Sequence, residues 1–167
     1  MAPETRPEFE RMRNSIHAAL APPAPPRHGY ASTPDPETLA LHYEHVNSRL
    51  GIHFQVHKLP FEHLQALDVR LLTIAPGASS EKHRHAHESI FFVLQGQALI
   101  VIEAEEIAVA QGDLATVPRW AVHQTCNGSQ DHELRLLAVT DFGLTSALLG
   151  NYDRQTRLKS SGKQAIE

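Results

Sequence analysis

The chain has 167 residues, of which 41% are hydrophobic and 20% are charged, and its formal net charge is −4 at pH 7. This length accommodates one domain with a hydrophobic core but not two ordinary ones. A chain with net negative charge lacks the basic surface that binds a phosphate backbone, so we expect no nucleic-acid partner.

The N-terminal segment MAPETRPEFERMRNS is polar and charged, which excludes a signal peptide at this position. The longest apolar run, near residues 98–102, is too short to span a bilayer. One cysteine, Cys126, cannot form an internal disulfide, which is typical of a reducing compartment. We therefore predict a cytoplasmic protein without a membrane partner, and we assign no chemistry to Cys126.

Residues 1–51 are predicted to form a helical extension. Apolar residues recur at helical spacing between Pro7 and Leu20, which predicts a first helix. The stretch APPAPPRHG then interrupts regular structure, because each proline fixes φ and removes a backbone donor. Asp35 followed by a proline is typical of a helix start and Gly51 of a helix end, so a second helix is expected between them.

From Ile52 onward the apolar period changes to that of strands. We predict strands at 52–59, 68–74, 83–87, 89–94, 98–103, 106–110, 113–117 and 134–140, a further strand that begins at His123, and a short helix at 144–149. Many short strands separated by turn residues are typical of a sandwich or a closed barrel. Residues 52–150 are therefore predicted to form one barrel, and residues 151–167 a polar tail.

The pattern that indicates chemistry is His83-x-His85. Residues two apart in a strand project to the same face, so both imidazoles face one space and offer two ligands to a divalent ion. A lone His-x-His is weak support, because an exposed polar edge has the same pattern. If the strand that begins at His123 lies opposite, His123 completes a three-imidazole metal site.

These segments resemble the two motifs of the cupin superfamily. The first motif matches at four positions and the second motif at four more: Gly77, His83, His85 and Gly96, then Gly112, Pro118, His123 and Asn127. The resemblance implies an all-β fold, the cupin double-stranded β-helix or jelly-roll barrel, here with an N-terminal helical extension and a short C-terminal helix. It also implies one divalent metal ion on the three histidines.

Two positions depart from the motifs. Ser89 stands where the family has a metal-binding glutamate, and Glu88 is one residue early, which turns its side chain to the other face. His87 has the right parity but is expected in the turn between strands, so His87 and Glu88 remain reserve ligands. Trp120 stands where the second motif has a glycine, either stacking on a planar substrate or plugging the end of the barrel.

The departures resemble the gentisate, salicylate and 1-hydroxy-2-naphthoate dioxygenases, which use three histidines without the glutamate. This likeness implies Fe(II), with Zn, Mn or Ni as alternatives, and cleavage of a small hydroxylated aromatic acid by dioxygen. Against it, those enzymes are longer and carry two cupin repeats. The segment after the last strand is also similar to theirs, with Arg135 and Asp141 at the matching positions.

Four residues are predicted to contact the substrate. Arg70 and Arg135 are isolated charged residues in two apolar strands. An arginine that faces the inside of the barrel would bind a carboxylate with two hydrogen bonds. The alternative is an outward position on the solvent face of the sheet. Phe91 and Trp120 are predicted to line the same pocket. His53 and His57, which share a strand face, are interpreted as surface or packing residues.

Two other classes of function stay open. One is a metal-dependent isomerase, epimerase or lyase acting on a small sugar or keto acid, for which no general base stands out in the sequence. The other is a non-catalytic cupin that binds a small ligand without turnover. We also expect a homodimer, because pairing two sheet edges removes an exposed edge strand.

Overall fold

The computed structural model describes residues 35–150, together with positions 7, 10, 11, 14, 15 and 18, which are helical. The remainder of the predicted first helix, the proline-rich stretch and the polar tail lie outside the described residues. The described part of the chain contains these strands: β1 Leu41–Asn47, β2 Ile52–Lys58, β3 Asp68–Ile74, β4 Ser89–Gln95, β5 Gln97–Ile102, β6 Glu105–Ala110, β7 Leu114–Val117, β8 His123–Asn127 and β9 Leu134–Thr140. One short helix, Phe142–Leu149, follows β9.

The strands form two antiparallel sheets that face each other. The larger sheet has the order β1-β2-β3-β9-β4-β7, and the smaller one has the order β6-β5-β8. Neighbouring strands in the larger sheet come from both ends of the chain, because β9 lies between β3 and β4. The predicted all-β double-sheet barrel is confirmed, with the short helix at its C-terminal end.

The predicted second helix is wrong, because its segment contains β1. Asp35 uses its carboxylate to cap a turn, accepting a hydrogen bond from the amide of Glu37 at 3.1 Å, and no helix follows. The chain instead pairs with β2, and Gly51 occupies the connecting turn with φ of +64°. Pairing with a neighbouring strand outweighs the local helix-start pattern, so the sheet begins at Leu41 rather than at Ile52.

The predicted strand at 83–87 is also wrong. His83 forms an isolated antiparallel bridge with His123, and the chain then bends through residues 86 and 87 before β4 begins at Ser89. The two histidines therefore stand on a loop that crosses the mouth of the barrel. Their position depends on hydrogen bonds from neighbouring segments rather than on a continuous strand ladder.

The hydrophobic core lies between the inner faces of the two sheets. It is formed by buried aliphatic and aromatic side chains at alternate strand positions, among them Phe54, Val56, Ile74, Phe91, Val93, Ile100, Leu134 and Leu136. Burial of a side chain of this size contributes about 1.5–3 kcal/mol. Several core residues, among them Phe54, Val56 and Phe91, also line the cavity that contains the histidines.

The outer face of the larger sheet is mixed in character. Ile90 and Leu114 are exposed there, whereas His57, Leu71 and Thr73 are buried although they alternate with inward-facing residues. Among the described residues, neither His57 Nδ1 nor Thr73 Oγ1 has a hydrogen-bond partner. Burial lowers the pKa of His57 below its ordinary value, against the opposing effect of Glu133 and Glu44.

None of the helices in the described residues is long and apolar enough to cross a membrane. The expected homodimer and the cytoplasmic location stay predictions.

Candidate metal centre

Three histidines converge at the open end of the barrel. His83 and His85 lie on the loop between β3 and β4, and His123 is the first residue of β8. The backbones of His83 and His123 exchange two hydrogen bonds, of 3.0 and 2.8 Å. One ring nitrogen from each of the three imidazoles lies within 4.8 Å of the others. This spacing brings three nitrogen ligands to one point.

Each of the three imidazoles is oriented by a backbone carbonyl. The Nδ1 atoms of His83, His85 and His123 lie 2.9, 2.8 and 3.0 Å from the carbonyl oxygens of Glu81, His87 and Ala121 respectively. A neutral imidazole that donates from Nδ1 presents the lone pair of Nε2. Metal-binding histidines are commonly held in this way by a carbonyl or carboxylate. The three Nε2 atoms therefore form the ligand set that a divalent ion would meet.

The electrostatics of the cluster favour neutral imidazoles. Burial, together with a smaller effect of the nearby His83, lowers the pKa of His123 to about 3, although the carbonyl of Ala121 acts in the opposite sense. A neutral imidazole is the form that binds metal, because a proton and a metal ion compete for the same lone pair. Imidazole suits iron, zinc, copper and nickel, so the donor set fits a divalent transition metal.

The position of the missing glutamate is occupied by a small side chain. Ser89 is buried and lines the cavity beside the histidines. Glu88 points outward, as its one-residue offset predicted, with a side chain that is 64% exposed. Within the described residues the ligand cluster consequently contains imidazoles and no carboxylate.

His87 supports the cluster from one side. Its ring stacks on that of His85, with centroids 3.5 Å apart and planes inclined by 10°, and it meets the edge of Phe142 at 5.5 Å. Burial, followed by the positive charge of Arg70, lowers the pKa of His87 to about 3. His87 lies in a bend, as predicted, and is not one of the three clustered ligands.

An ion pair holds the loop that carries His85. Arg119 donates to the carbonyl oxygen of Ala86 at 2.8 Å and to the carboxylate of Asp141 at 2.5 Å, and Asp141 also accepts from the amide of Glu88 at 2.8 Å. Partial burial would raise the pKa of Asp141, but the hydrogen bonds from Arg119 and Glu88 lower it overall. This Arg119–Asp141 pair connects the loop to the N-terminus of the short helix.

The three histidines open into a cavity of about 90 Å³. Arg70 and Phe91 both line it, as do apolar residues of β2 and β3. The Arg70 guanidinium donates twice to one oxygen of Asp68, at 2.9 and 2.5 Å, and lies 4.9 Å from the centre of the Phe142 ring. The inward position of Arg70 places a cation on the cavity wall.

The other two predicted substrate contacts lie elsewhere. Arg135 is on the outer face of β9, where it alternates with the buried Leu134 and Leu136 and donates to Glu133 at 2.6 Å. Its predicted role inside the barrel is therefore wrong. Trp120 is 48% exposed at the rim and does not line the cavity, so its contact with substrate stays a prediction.

Trp120 also shows why the second motif of the family has glycine at this point. Its backbone has φ of +62°, a left-handed conformation that costs a side-chain-bearing residue about 1–2 kcal/mol. The conformation lets its amide donate to the carbonyl oxygen of His85 at 2.8 Å. The strained residue thereby helps to position a histidine of the cluster.

A second polar group in the cavity is not predicted from the sequence. Tyr43 donates to Oε1 of Glu81 at 2.9 Å, and Nδ1 of His45 hydrogen-bonds to the same oxygen. Tyr43 and Glu81 line the cavity. Because the segment of Tyr43 and His45 is predicted as helix, their shared strand face is missed. The apolar–polar alternation of residues 41–44 is a short signal that could have shown it, and it breaks at His45.

Comparison with known proteins places this geometry in context. Residues 70–140 match the family model for the cupin domain. A 5-aminosalicylate 1,2-dioxygenase of Comamonas sp. is 31% identical over 78 residues, which cover 47% of this chain and 20% of that protein. An uncharacterised protein of Streptomyces coelicolor is 31% identical over 81 residues, covering 48% of this chain and 75% of that protein.

Among solved structures, a cupin-2 domain protein of Rhodospirillum rubrum superimposes with a TM-score of 0.57 at 24% identity. The match covers 70% of this chain and 78% of that one. At this identity the likeness shows the fold. The chain spans only a fifth of the length of the Comamonas dioxygenase, 20%, so the activity of that whole enzyme does not transfer directly.

Proposed function

Because the chain belongs to the cupin superfamily, we propose that it is a dioxygenase-like enzyme that holds Fe(II) on His83, His85 and His123 and acts on a small hydroxylated aromatic acid. The observation that supports this most directly is the set of three imidazoles, each oriented by a backbone carbonyl, with serine at the position of the glutamate. Such a set adds no negative charge to a bound metal. An anionic, chelating substrate therefore meets no competing carboxylate in the cluster.

Iron in this position would supply the redox chemistry that dioxygen needs to react with an aromatic ring. The chain's own residues would bind and orient the ring. Phe91 and the apolar residues of β2 and β3 provide a surface for a planar substrate, and Arg70 provides a cation for its carboxylate. Asp68 and the Phe142 ring hold the Arg70 guanidinium in place, which reduces the entropy lost on binding.

Burial also excludes water from two of the three imidazoles, whereas His83 is only partly buried. His85 and His123 are 4% and 2% exposed, so the face they present is reached through the cavity rather than from bulk solvent. An apolar wall beside a polar ligand set is the usual composition of a small-molecule site. We propose Trp120 as an outer contact for the ring; the support is its 48% exposure and the hydrogen bond from its amide to the carbonyl oxygen of His85.

The test is oxygen uptake by the iron-loaded protein with salicylate, gentisate and 1-hydroxy-2-naphthoate, each beside the same ring without its carboxylate. We expect uptake of about one dioxygen per ring cleaved, because both atoms are inserted, and no uptake when the carboxylate that pairs with Arg70 is missing. Absence of uptake with every acid would overturn the proposal. Turnover of a small sugar or keto acid without oxygen would favour the isomerase or lyase, and binding without turnover the non-catalytic cupin.

A further inference from the structure

The cavity has a second polar wall, formed by Tyr43 and Glu81, and His45 hydrogen-bonds to the same carboxylate. The proposed metal chemistry uses none of these three groups. We propose that this Glu81 cluster is a specificity subsite, which accepts a hydrogen bond from a hydroxyl or amino group on the substrate ring. The inference rests on the proposed function, because it concerns the same substrate in the same cavity. It adds a requirement that the metal and Arg70 do not impose, namely a second hydrogen-bond donor.

The geometry of the cluster is that of an oriented acceptor. Tyr43 and His45 both direct hydrogen bonds to Oε1 of Glu81, which fixes the plane of the carboxylate. The Glu81 side chain is 12% exposed and that of His45 is 24% exposed, so the group is held within the protein rather than in bulk water. An ionised carboxylate accepts about four hydrogen bonds and donates none, so its chemistry suits a hydrogen-bond donor on a ligand.

The aromatic residues around Glu81 make this wall suitable for a planar ligand. The Tyr43 and Phe54 rings lie 5.7 Å apart at 55°, and the His45 and Phe54 rings lie 6.3 Å apart at 57°. Tyr43 and Phe54 both line the cavity. An aromatic ring that packs here would present its polar substituents at its edge, where the Glu81 carboxylate could accept a hydrogen bond from them.

The charges of the cavity are divided between two walls. Glu81 contacts side chains of β1, whereas Arg70 on β3 contacts Asp68 and Phe142. A ligand with an anionic group at one end and a hydrogen-bond donor at the other fits in one orientation, with the anion at Arg70 and the donor at Glu81. The reversed ligand would place its carboxylate against Glu81, and like-charge contacts of this kind are a common source of specificity.

The cluster also connects two segments, because Glu81 lies on the same loop as His83 and His85 and its carboxylate accepts hydrogen bonds from Tyr43 and His45 of β1. A purely structural clamp between β1 and this loop is the competing explanation. The two explanations differ in their consequences for ligands. A clamp affects all ligands alike, whereas a subsite distinguishes ligands that carry the donor from ligands that lack it.

The experiment measures binding of three kinds of ligand to the iron-loaded protein under nitrogen by calorimetry. The first is salicylate, which lacks a second donor. The second is gentisate and its positional isomers, which carry a second hydroxyl. The third is the methyl ether of that hydroxyl in each isomer, which keeps the size but removes the donor. The proteins are the wild type, Glu81→Gln, Glu81→Leu and Tyr43→Phe, with Glu44→Gln as a control.

Glu44 is a suitable control because it lies next to Tyr43 on β1, is exposed, and accepts a hydrogen bond from Gln55 on the other side of the strand. We expect the wild type and Glu44→Gln to prefer at least one hydroxyl isomer over its methyl ether by about tenfold to a hundredfold, the range for a hydrogen bond to a charged group. The preference should shrink in Glu81→Gln and Tyr43→Phe and vanish in Glu81→Leu, with salicylate affinity unchanged.

Three results would overturn the inference. In the first, the wild type binds salicylate and binds every hydroxyl isomer as tightly as its methyl ether. This result excludes the subsite but is compatible with the proposed function. A preference that survives in Glu81→Leu, or a uniform loss for all ligands in the Glu81 variants, assigns the cluster to the structural clamp. Failure of the wild type to bind any of the acids removes the subsite together with the proposed function.

Discussion

His123 and His57 are buried histidines on the inner and the outer face of the same barrel, and they differ in the hydrogen bonding of Nδ1. Both are almost fully buried, and burial lowers the pKa of both. His123 Nδ1 lies 3.0 Å from the carbonyl oxygen of Ala121 and its ring faces two further imidazoles. His57 Nδ1 has no hydrogen-bond partner in the part of the chain that the structure describes. Burial alone therefore does not distinguish a ligand from a packing residue.

The difference lies in the fixed orientation of the ring. A hydrogen bond at Nδ1 determines which tautomer is present and aims Nε2, and it is repeated in all three histidines of the cluster. A buried nitrogen without a partner is instead a cost, about 1–3 kcal/mol. On the inner face the hydrogen bonds of the buried histidines orient a ligand site. On the outer face, His57 lowers the stability of the fold, and no contact among the described residues compensates for this.

The largest expected effect is on stability as the pH falls. The pKa of His123 and of His87 is about 3 in the folded chain, against an ordinary value of 6.5. Below pH 6.5 these imidazoles bind protons in the unfolded chain but stay neutral in the folded chain. The unfolding free energy therefore falls as the pH falls toward 3. Each of the two groups lowers the unfolding free energy by about 2 kcal/mol between pH 7 and pH 5. The lowered pKa of His57 changes the unfolding free energy in the same direction.

Urea unfolding of the metal-free protein at pH 7 and pH 5 measures this loss, and His87→Gln should reduce it by about half. Asp141 does not interfere, because its pKa is lowered from 3.8 and its stabilisation is lost only at more acidic pH. An unfolding free energy that is flat between the two pH values would contradict the assignment of neutral, buried imidazoles.

The next effect concerns the Arg119–Asp141 pair, which acts on the cluster through the loop of His85. Arg119→Gln removes the donors to Ala86 and Asp141, so the loop should lose its fixed position. We expect metal affinity to fall about tenfold to a hundredfold, the usual range for loss of a group that orients a ligand. Competition with a chelator measures the affinity. Arg135→Gln, which alters an arginine of the outer face, is the control and should leave it unchanged.

The smallest effect is a gain on the outer face. His57→Leu removes the unpartnered nitrogen and retains an apolar side chain beside Leu71, its neighbour in the register of β2 and β3. We expect the unfolding free energy to rise by about 1 kcal/mol at pH 7. Thr73→Val should act in the same direction, because Thr73 Oγ1 is also without a partner. Destabilisation by both substitutions would show that these polar atoms are needed where they are.

Most of the barrel and the metal cluster could be predicted because both depend on short-range patterns. Alternation and turn glycines indicate β2 to β7 and β9, and the spacing of His83 and His85, with His123 in the second motif, indicates the cluster. Neither pattern requires knowledge of which strands are neighbours.

What could not be predicted depends on long-range pairing. Arg70 and Arg135 are each followed by two leucines, yet Arg70 faces the cavity and Arg135 faces outward, because the register pairs Arg135 with the outward Thr73. A shift of one residue exchanges the faces of a strand, and only the partner strand decides it. For the same reason β1 and the Glu81 cluster were missed, since β1 forms by pairing with β2.

The central claim, that His83, His85 and His123 hold a metal and the buried His57 does not, is tested by elemental analysis. The wild type, His123→Ala and His57→Leu are purified without an affinity tag or chelator, and their metal content is compared. The account predicts about one divalent metal per chain in the wild type and in His57→Leu, and none in His123→Ala. Metal retained in His123→Ala, or no metal in the wild type even after anaerobic reconstitution, would contradict it.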